Sequence, residues 1–561
     1  MRVLLLCSAF NGISQRIHRE LELHGCQVSV ELATGETGME NAVAEFRPRL
    51  IVCPYLVHRI PDAIWQKIPC LVLRPGIESD RGLSSLDWAI ASNCTEWGVT
   101  LLQANGEMGA GDIWGTATFP LRGASKAGLY RREVTAAAAS LVKSALAALK
   151  DPGFTPRPLE TQKIPGRVQP PMRQADRAID WQRDSTDITI AKLRAADSAP
   201  GIREEIGGQV VFLYGVRREE NLSGGAGDFI AHSNGAVCRA TVDGAVWIPQ
   251  ARCEGGIKLP AAQVLLPLLK EIPRELKNIP SAVEDIRSAR IGDVAYLYFD
   301  FAGGAMNTGQ CRRLLGHYRE LQSGDARVIV LMGGEDFWSN GVHLHCIEAA
   351  EDPARESWEN INAIDDLVEA IIETPDQITV AALRNNAGAG GAMMALACDH
   401  VLLREGVVLN PHYRTMGFCG SEYWTYLLPR RAGQKQALAL TQNCLPLLAT
   451  EALQMGLGDE IFDEGWDIFQ REMEHYCRIL SQSANFGAQL KAKRAMRTAD
   501  EKRKPLRRYR EEELEGVSAV IFDPEAEYQR ARRDFVYKIP PQETPAHLRR
   551  KVRFWQRVVF S

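Results

Sequence analysis

A proline-rich stretch, DPGFTPRPLETQKIPGRVQPP from Asp151 to Pro171, divides two long regions in which short apolar runs alternate with amphipathic ones. It sustains neither helical nor strand periodicity and reads as a linker. At 561 residues the chain is also too long for a single hydrophobic core, and its length points to about three or four domains.

Before the linker, VLLLCSAF, RLIVCPYLV and IPCLVLRPG read as buried parallel strands, and ISQRIHRELELHG as an intervening helix closed by Gly25. That rhythm predicts a doubly wound α/β domain over 1–165, with its site at the carboxyl ends of the strands. After the linker, AIDWQRDSTDITIAKLRAAD reads as a helix, and QVVFLYGVRRE and GAVCRATVDGAVWIPQARC as strands joined by glycine turns. With LPAAQVLLPLLKEIP closing it, this part forms a small β-rich, OB-like domain over 166–275. DVAYLYFDF, ARVIVLMGG and ITVAALRNN open a second α/β layout over 280–485. The remainder, 486–561, is dense in Lys, Arg and Glu and reads as a charged helical extension, with RRYREEELE on a solvated helix. The expected fold class is therefore α/β and multidomain.

A chain that is 45% hydrophobic and 24% charged has the composition of an ordinary globular protein. A net charge of -4 gives no support for nucleic acid as the main partner. The 13 cysteines contain no CxxC pair, which argues against a disulfide scaffold or zinc ribbon and for reduced thiols in the cytoplasm. No apolar run reaches the ~18 residues of a membrane span, and MRVLLLCSAF reads as a first strand rather than an export leader.

Two blocks carry chemistry in the first half. LVLRPGIESDRGLSSLDWAI, followed by GAGDIWGT, resembles the 10-formyltetrahydrofolate-dependent formyltransferases, and ADRAIDW with KLRAADSAPG resembles the start of the small C-terminal domain of methionyl-tRNA formyltransferases. The resemblance implies a carboxylate at Asp112, but Val72 stands where that family has Asn and Arg74 where it has His. Formyl transfer needs an acid/base group beside the carbonyl carbon, a donor for the developing oxyanion and a carboxylate that holds the acid/base group. Arginine stays protonated, so Arg74 can stabilise an oxyanion but cannot take a proton. Two readings follow. Either Arg74 assists transfer to a nucleophile that ionises with little help, such as the CoA thiol, or it pairs with Asp112 and the domain only binds a ligand. SAFNGISQR, after the first strand, supplies Asn11, Gln15 and Arg16 as candidate ligand contacts, whereas Gly12 reads equally well as a structural turn.

In the second half, DFWSNGVHLHCIE and NNAGAGGAMMALACDHVLL resemble the signature segments of the crotonase superfamily, which binds CoA thioesters. The resemblance implies an oxyanion hole made by the backbone N–H groups of Val342 and Gly390. Met393 and His412 occupy the places of the two hydratase carboxylates, so water addition has no evident catalyst, and His412 is left as a polar group at the site. Glu422, with Tyr423, Trp424 and Tyr426 around it, is the candidate acid/base, because burial among aromatics raises a carboxyl pKa. Pairing of Glu422 with Arg430 or Arg431 is the structural alternative. His343, His345 and Cys346 read as packing residues, and no metal is expected.

Over essentially the whole chain, the ordered set SAFN-ISQR, RPGIESDRG-SSLDWAI, SNGVHL, LNPHYRTMG, GSEYWTYLLPRR and KPLRRYREEEL resembles the HypX/HoxX family of hydrogenase maturation factors. The resemblance implies a bifunctional enzyme that moves a formyl group from 10-formyltetrahydrofolate to coenzyme A and decarbonylates formyl-CoA to carbon monoxide for a [NiFe] hydrogenase. It also implies folate, a CoA thioester and hydrogenase maturation proteins as partners. Arg507 and Arg508 are candidate contacts for CoA phosphates, with an exposed charged helix as the alternative. Two sites on one chain present each product to the next site at high effective concentration. Competing readings are a formyl- or acyl-CoA hydrolase or lyase of another pathway, and a non-catalytic scaffold that binds CoA or folate.

Overall fold

The computed structural model describes residues 1–78, 80, 82–159, 169–269, 276–279 and 282–550. The middle of the proline-rich stretch, the end of LPAAQVLLPLLKEIP and the residues from 551 onward lie outside the described residues. The chain forms two compact units: 1–178 with 191–199 and 540–561, and 179–190 with 200–539.

The first unit is built on a six-stranded sheet in the order Gln27–Leu32, Arg2–Cys7, Leu50–Cys53, Cys70–Arg74, Glu96–Gln103, Ile113–Pro120. The first four strands are parallel and the last two run antiparallel. Arg2–Cys7 is paired on both sides, and Val3 through Cys7 are buried, as a near-continuous apolar run requires when both faces are covered. The helix Gly12–Leu23 starts at Asn11, whose Oδ1 accepts the Ser14 N–H at 3.2 Å. It ends as expected at Gly25, which has φ +77°, with Cys26 N–H reaching Leu21 O at 3.0 Å.

Three departures from the sequence reading have local causes. The strand Gln27–Leu32 escaped notice because Ser29 and Glu31 interrupt its apolar pattern, yet both are buried. The segment Pro540–Arg550 covers that edge: Thr544 Oγ1 accepts the Leu32 N–H at 2.8 Å and Arg549 lies 3.3 Å from Glu31. The charged extension is thus helical only in part, and its described end packs back on the first sheet. Within the linker, Arg157 exchanges backbone hydrogen bonds with Ile113 at 2.7 and 2.9 Å, so that portion continues the sheet edge. Finally, the helix expected from 178 starts only at Thr186. Asp243 Oδ1 accepts both the Thr186 N–H and its hydroxyl at 2.7 Å, and Asp180 and Asp184 tie a turn before it.

In the second unit, the strands from Ile202–Ile206 to Leu259–Pro260, with Lys277–Asn278, form a five-stranded and a four-stranded sheet, the small β-rich module. Beyond it lies a six-stranded sheet in the order Ile286–Ile291, Val294–Phe299, Val328–Gly333, Ile378–Leu383, His400–Arg404, Glu460–Phe462, antiparallel only at its first pair. One face packs on the helices Thr308–Gln322 and Pro353–Ile372, the other on Trp466–Gln482. The helix Leu506–Ile521, expected to be solvated, buries Leu506, Glu513, Leu514, Val517 and Ile521. Its apolar residues fall at helical spacing, so one face belongs to the core despite its surface charge. The small module and the α/β part meet through Arg217, 3.0 Å from Asp300.

The turn before Ile113–Pro120 depends on Gly111, where a Cβ would stand 1.5 Å from the Gln103 carbonyl oxygen. Gly111→Ala is therefore expected to destabilise the first unit by about 3 kcal/mol, measured by urea unfolding of the full chain. An unchanged transition would contradict this packing.

Candidate active site

The two signature segments of the second half come together at their glycines. Gly341, at φ +75°, passes so close to the start of the helix Gly390–Leu396 that a Cβ on it would stand 3.1 Å from the Gly390 nitrogen. Gly388 N–H bonds to Ser339 O at 2.9 Å and Met306 N–H to Gly341 O at 2.8 Å, which fixes both backbones. Val342 and Gly390 thereby sit side by side, and among the described residues nothing accepts a hydrogen bond from either N–H. Unpaired backbone donors on adjacent segments are the raw material of an oxyanion site.

Glu422 lies against Gly390. A Cβ on Gly390 would stand 2.0 Å from Glu422 Oε1, so the carboxylate occupies the space that only glycine leaves open. Glu422 is 3% exposed, and Tyr413 donates its hydroxyl to Oε2 at 2.9 Å. Burial raises the Glu422 carboxyl above its usual range, against the lowering effect of the Tyr413 hydrogen bond. Arg430 instead pairs with Asp500 at 2.8 Å and Arg431 with Asp459 at 3.1 Å. The hydroxyl that touches Glu422 comes from Tyr413, whereas Tyr426 turns its own hydroxyl to Asp500 at 3.1 Å.

His412 flanks the same site: a Cβ on Gly388 would meet its Cε1 at 3.2 Å. Its Nδ1 lies 2.7 Å from Asn410 O, and because a carbonyl only accepts, Nδ1 carries the proton and Nε2 the lone pair. Burial lowers the His412 pKa, so the ring is neutral near pH 7. Met393 is fully buried in the core. His343 caps the helix Leu344–Glu348, its Nδ1 accepting the Cys346 N–H at 3.3 Å, and His345 meets it edge-on at 5.8 Å.

Behind Glu422 stand carboxylates that the sequence reading missed. Asp365 is 1% exposed and accepts the Glu422 N–H at 2.9 Å. Glu513 accepts the Thr425 N–H at 2.8 Å, and its other oxygen has no hydrogen-bond partner among the described residues. Arg510 reaches Asp366 at 2.7 Å and Glu369 at 3.1 Å. The signal was present in the sequence. Ile361, Ile364, Asp365, Val368 and Ile372 share one helical stripe, and an acid on such a stripe is buried with it. Arg507 and Arg508 lie on the exposed side of Leu506–Ile521 and pair with Glu511 at 3.3 and 2.9 Å.

In the first unit, Arg74 ends the strand Cys70–Arg74 and donates to the carbonyl oxygens of Gly109 at 3.1 Å and Ile77 at 3.0 Å. It thereby ties together the two loops that carry the formyltransferase-like block. Asp112 is exposed at the Gly111 turn, its carbonyl receiving the Gln103 N–H at 2.8 Å. Asn11 caps its helix, Gln15 Nε2 donates to Phe10 O at 3.1 Å, and Arg16 is 3% exposed and pairs with Glu20 at 2.7 Å. Arg16 is therefore part of a buried ion pair within its own helix.

Burial pushes the Glu513 carboxyl up to about 7, with the Thr425 hydrogen bonds opposing and the Glu422 charge adding to the rise. A pKa raised on folding stabilises the fold below the unfolded value and loses that contribution as pH rises through the folded one. Glu513→Gln should therefore be more stable than the parent at pH 8 by on the order of 2–3 kcal/mol, and the difference should shrink toward pH 4.5. Urea unfolding at both pH values checks this, and equal stabilities at pH 8 would contradict it.

Comparison with known proteins agrees with this arrangement. Residues 171–266 match the formyl transferase C-terminal domain model, and residues 310–542 match the enoyl-CoA hydratase/isomerase model. The hydrogenase maturation factor HoxX of Bradyrhizobium diazoefficiens is 44% identical over 548 residues, covering 97% of this chain and 96% of that protein. The crystal structure of HypX from Aquifex aeolicus in complex with tetrahydrofolic acid superimposes with a TM-score of 0.94 at 39% identity, covering 99% of each chain. A methionyl-tRNA formyltransferase of Geobacillus thermodenitrificans is 26% identical over 172 residues, 30% of this chain and 53% of that enzyme. Among the described residues no helix is long and apolar enough to cross a membrane. A formyltransferase-like part and a crotonase-like part in one chain, both spanned by the Bradyrhizobium and Aquifex relatives, place the chain in the HypX/HoxX family of hydrogenase maturation factors.

Proposed function

We propose that this chain transfers a formyl group from 10-formyltetrahydrofolate to coenzyme A and releases carbon monoxide from the resulting formyl-CoA, in the cytoplasm, for assembly of a [NiFe]-hydrogenase active site. The observation that carries the proposal is the buried Glu422 carboxylate lying against Gly390. A thioester carbonyl held by Val342 and Gly390 would present its formyl carbon to that carboxylate. Glu422 takes the formyl proton, the C–S bond breaks with its electron pair going to sulfur, and carbon monoxide leaves. The thiolate then recovers a proton from Glu422 or from the Tyr413 hydroxyl beside it. No oxidant or reductant is needed. Burial makes Glu422 a stronger base than an exposed carboxylate, which suits it to a weakly acidic formyl C–H. Neutral His412, with a free lone pair on Nε2, adds no positive charge that would weaken that base.

For the first step, the Aquifex relative's complex with tetrahydrofolic acid supports a folate donor. Arg74 and exposed Asp112 sit on neighbouring loops at the end of the parallel strands, where a doubly wound sheet binds its ligand. Arg74 then serves as a fixed cation for the developing oxyanion, and the CoA thiol ionises without a strong base. A binding-only first unit is the second reading, favoured by the way Arg74 is engaged by the Gly109 and Ile77 carbonyls.

Glu422→Gln should keep CoA binding but lower carbon monoxide formation from formyl-CoA at least about tenfold, ~1.4 kcal/mol of barrier. Unchanged turnover would remove Glu422 from the mechanism. Arg74→His should lower the rate of formyl transfer from 10-formyltetrahydrofolate near pH 8, where histidine is no longer a fixed cation. A gain in a formyl-CoA accumulation assay would overturn the oxyanion role of Arg74 and favour the second reading.

A further inference from the structure

Glu422 and Tyr423 are consecutive non-glycine residues in the left-handed region, at φ +59° and +60°. Such residues cost about 1–3 kcal/mol each and persist only where the surroundings over-determine them. The left-handed turn carries function here, because it brings the Glu422 side chain back onto Gly390 instead of along the helix Trp424–Ala432. Something must hold the main chain in that shape. At its head, the Glu422 N–H donates to Asp365 Oδ1 at 2.9 Å.

Asp365 is a poor choice if packing were its only task. It sits on the apolar stripe of Pro353–Ile372, 1% exposed, with Arg510 Nε 4.0 Å away and the acids Glu422 and Glu513 nearby. A leucine of similar size would bury there at no electrostatic cost. The carboxyl does what leucine cannot, which is to accept one particular N–H.

We propose that Asp365 is the positioning residue of the crotonase-like site, fixing Glu422 in its left-handed conformation through the main-chain N–H and so aiming the Glu422 carboxylate at the substrate carbonyl beside Gly390. The proposal rests on the reading of Glu422 as the acid/base group. Burial, then the Glu422 and Glu513 charges, push the Asp365 carboxyl well up against the opposing Arg510. Whether charged or neutral, the carboxyl offers an oxygen that accepts the Glu422 N–H. Asparagine reproduces that acceptor and alanine does not.

The test compares Asp365→Asn with Asp365→Ala in the full chain, with Asp365→Leu in place of alanine should the cavity prevent folding. For carbon monoxide release from formyl-CoA, Asp365→Ala should lower kcat at least about tenfold with KM within about twofold, and Asp365→Asn should stay within about threefold of the parent. A parental kcat in Asp365→Ala, or an equal loss in both variants, would overturn the positioning role. Crystal structures of the substrate-free variants read the same point without turnover: Glu422 should stay against Gly390 in Asp365→Asn and leave it in Asp365→Ala. If the parent releases no carbon monoxide, the proposed function fails while this comparison still decides what Asp365 holds.

Discussion

The placement of one buried carboxylate against a glycine organises the crotonase-like half of this protein. Glu422 occupies volume that any Cβ at Gly390 would fill, and it is held there by the Tyr413 hydroxyl and by Asp365. A carboxylate buried this way is costly unless its hydrogen bonds are made, and here each polar contact comes from a different element. Tyr413 belongs to a short helical turn, Asp365 to the long helix Pro353–Ile372, and Gly390 to the start of a helix. The tail helix Leu506–Ile521 completes the shell by supplying Glu513 and Arg510. The site therefore depends on the core's closing correctly, including a segment that sequence composition alone assigns to solvent.

The superfamily's hydration chemistry needs two carboxylates, and this chain places buried Met393 and neutral His412 at those positions. Under the proposed function Glu422 alone is left to move a proton, and the reaction asks for removal of a formyl proton rather than addition of water. In the first unit, the formyltransferase resemblance implies a histidine at the position held by Arg74, a permanent cation.

The fold class was legible in the sequence, because glycine-bounded apolar runs and signature segments are local patterns. Gly390 and Glu422 each stand out in short segments, and the structure brings the Glu422 carboxylate against Gly390, beside Gly341. What was not legible depends on long-range pairing. The strand Gln27–Leu32 looks half-polar until Pro540–Arg550 covers its edge. Tyr413 is nine residues from its partner Glu422, and Asp365 fifty-seven, so no local pattern marks either as a partner. Buried Glu513 was hidden in a run of charges whose apolar members, Leu514, Val517 and Ile521, lie at helical spacing.

The most direct measurement is to incubate the purified full-length protein with formyl-CoA carrying carbon-13 in the formyl group and to capture released gas on reduced haem, read by the isotope-shifted carbonyl stretch. The account predicts labelled carbon monoxide and free coenzyme A in equal amounts, both lost when Glu422 is replaced by glutamine. Labelled formate with no carbon monoxide would contradict it and assign the site to thioester hydrolysis.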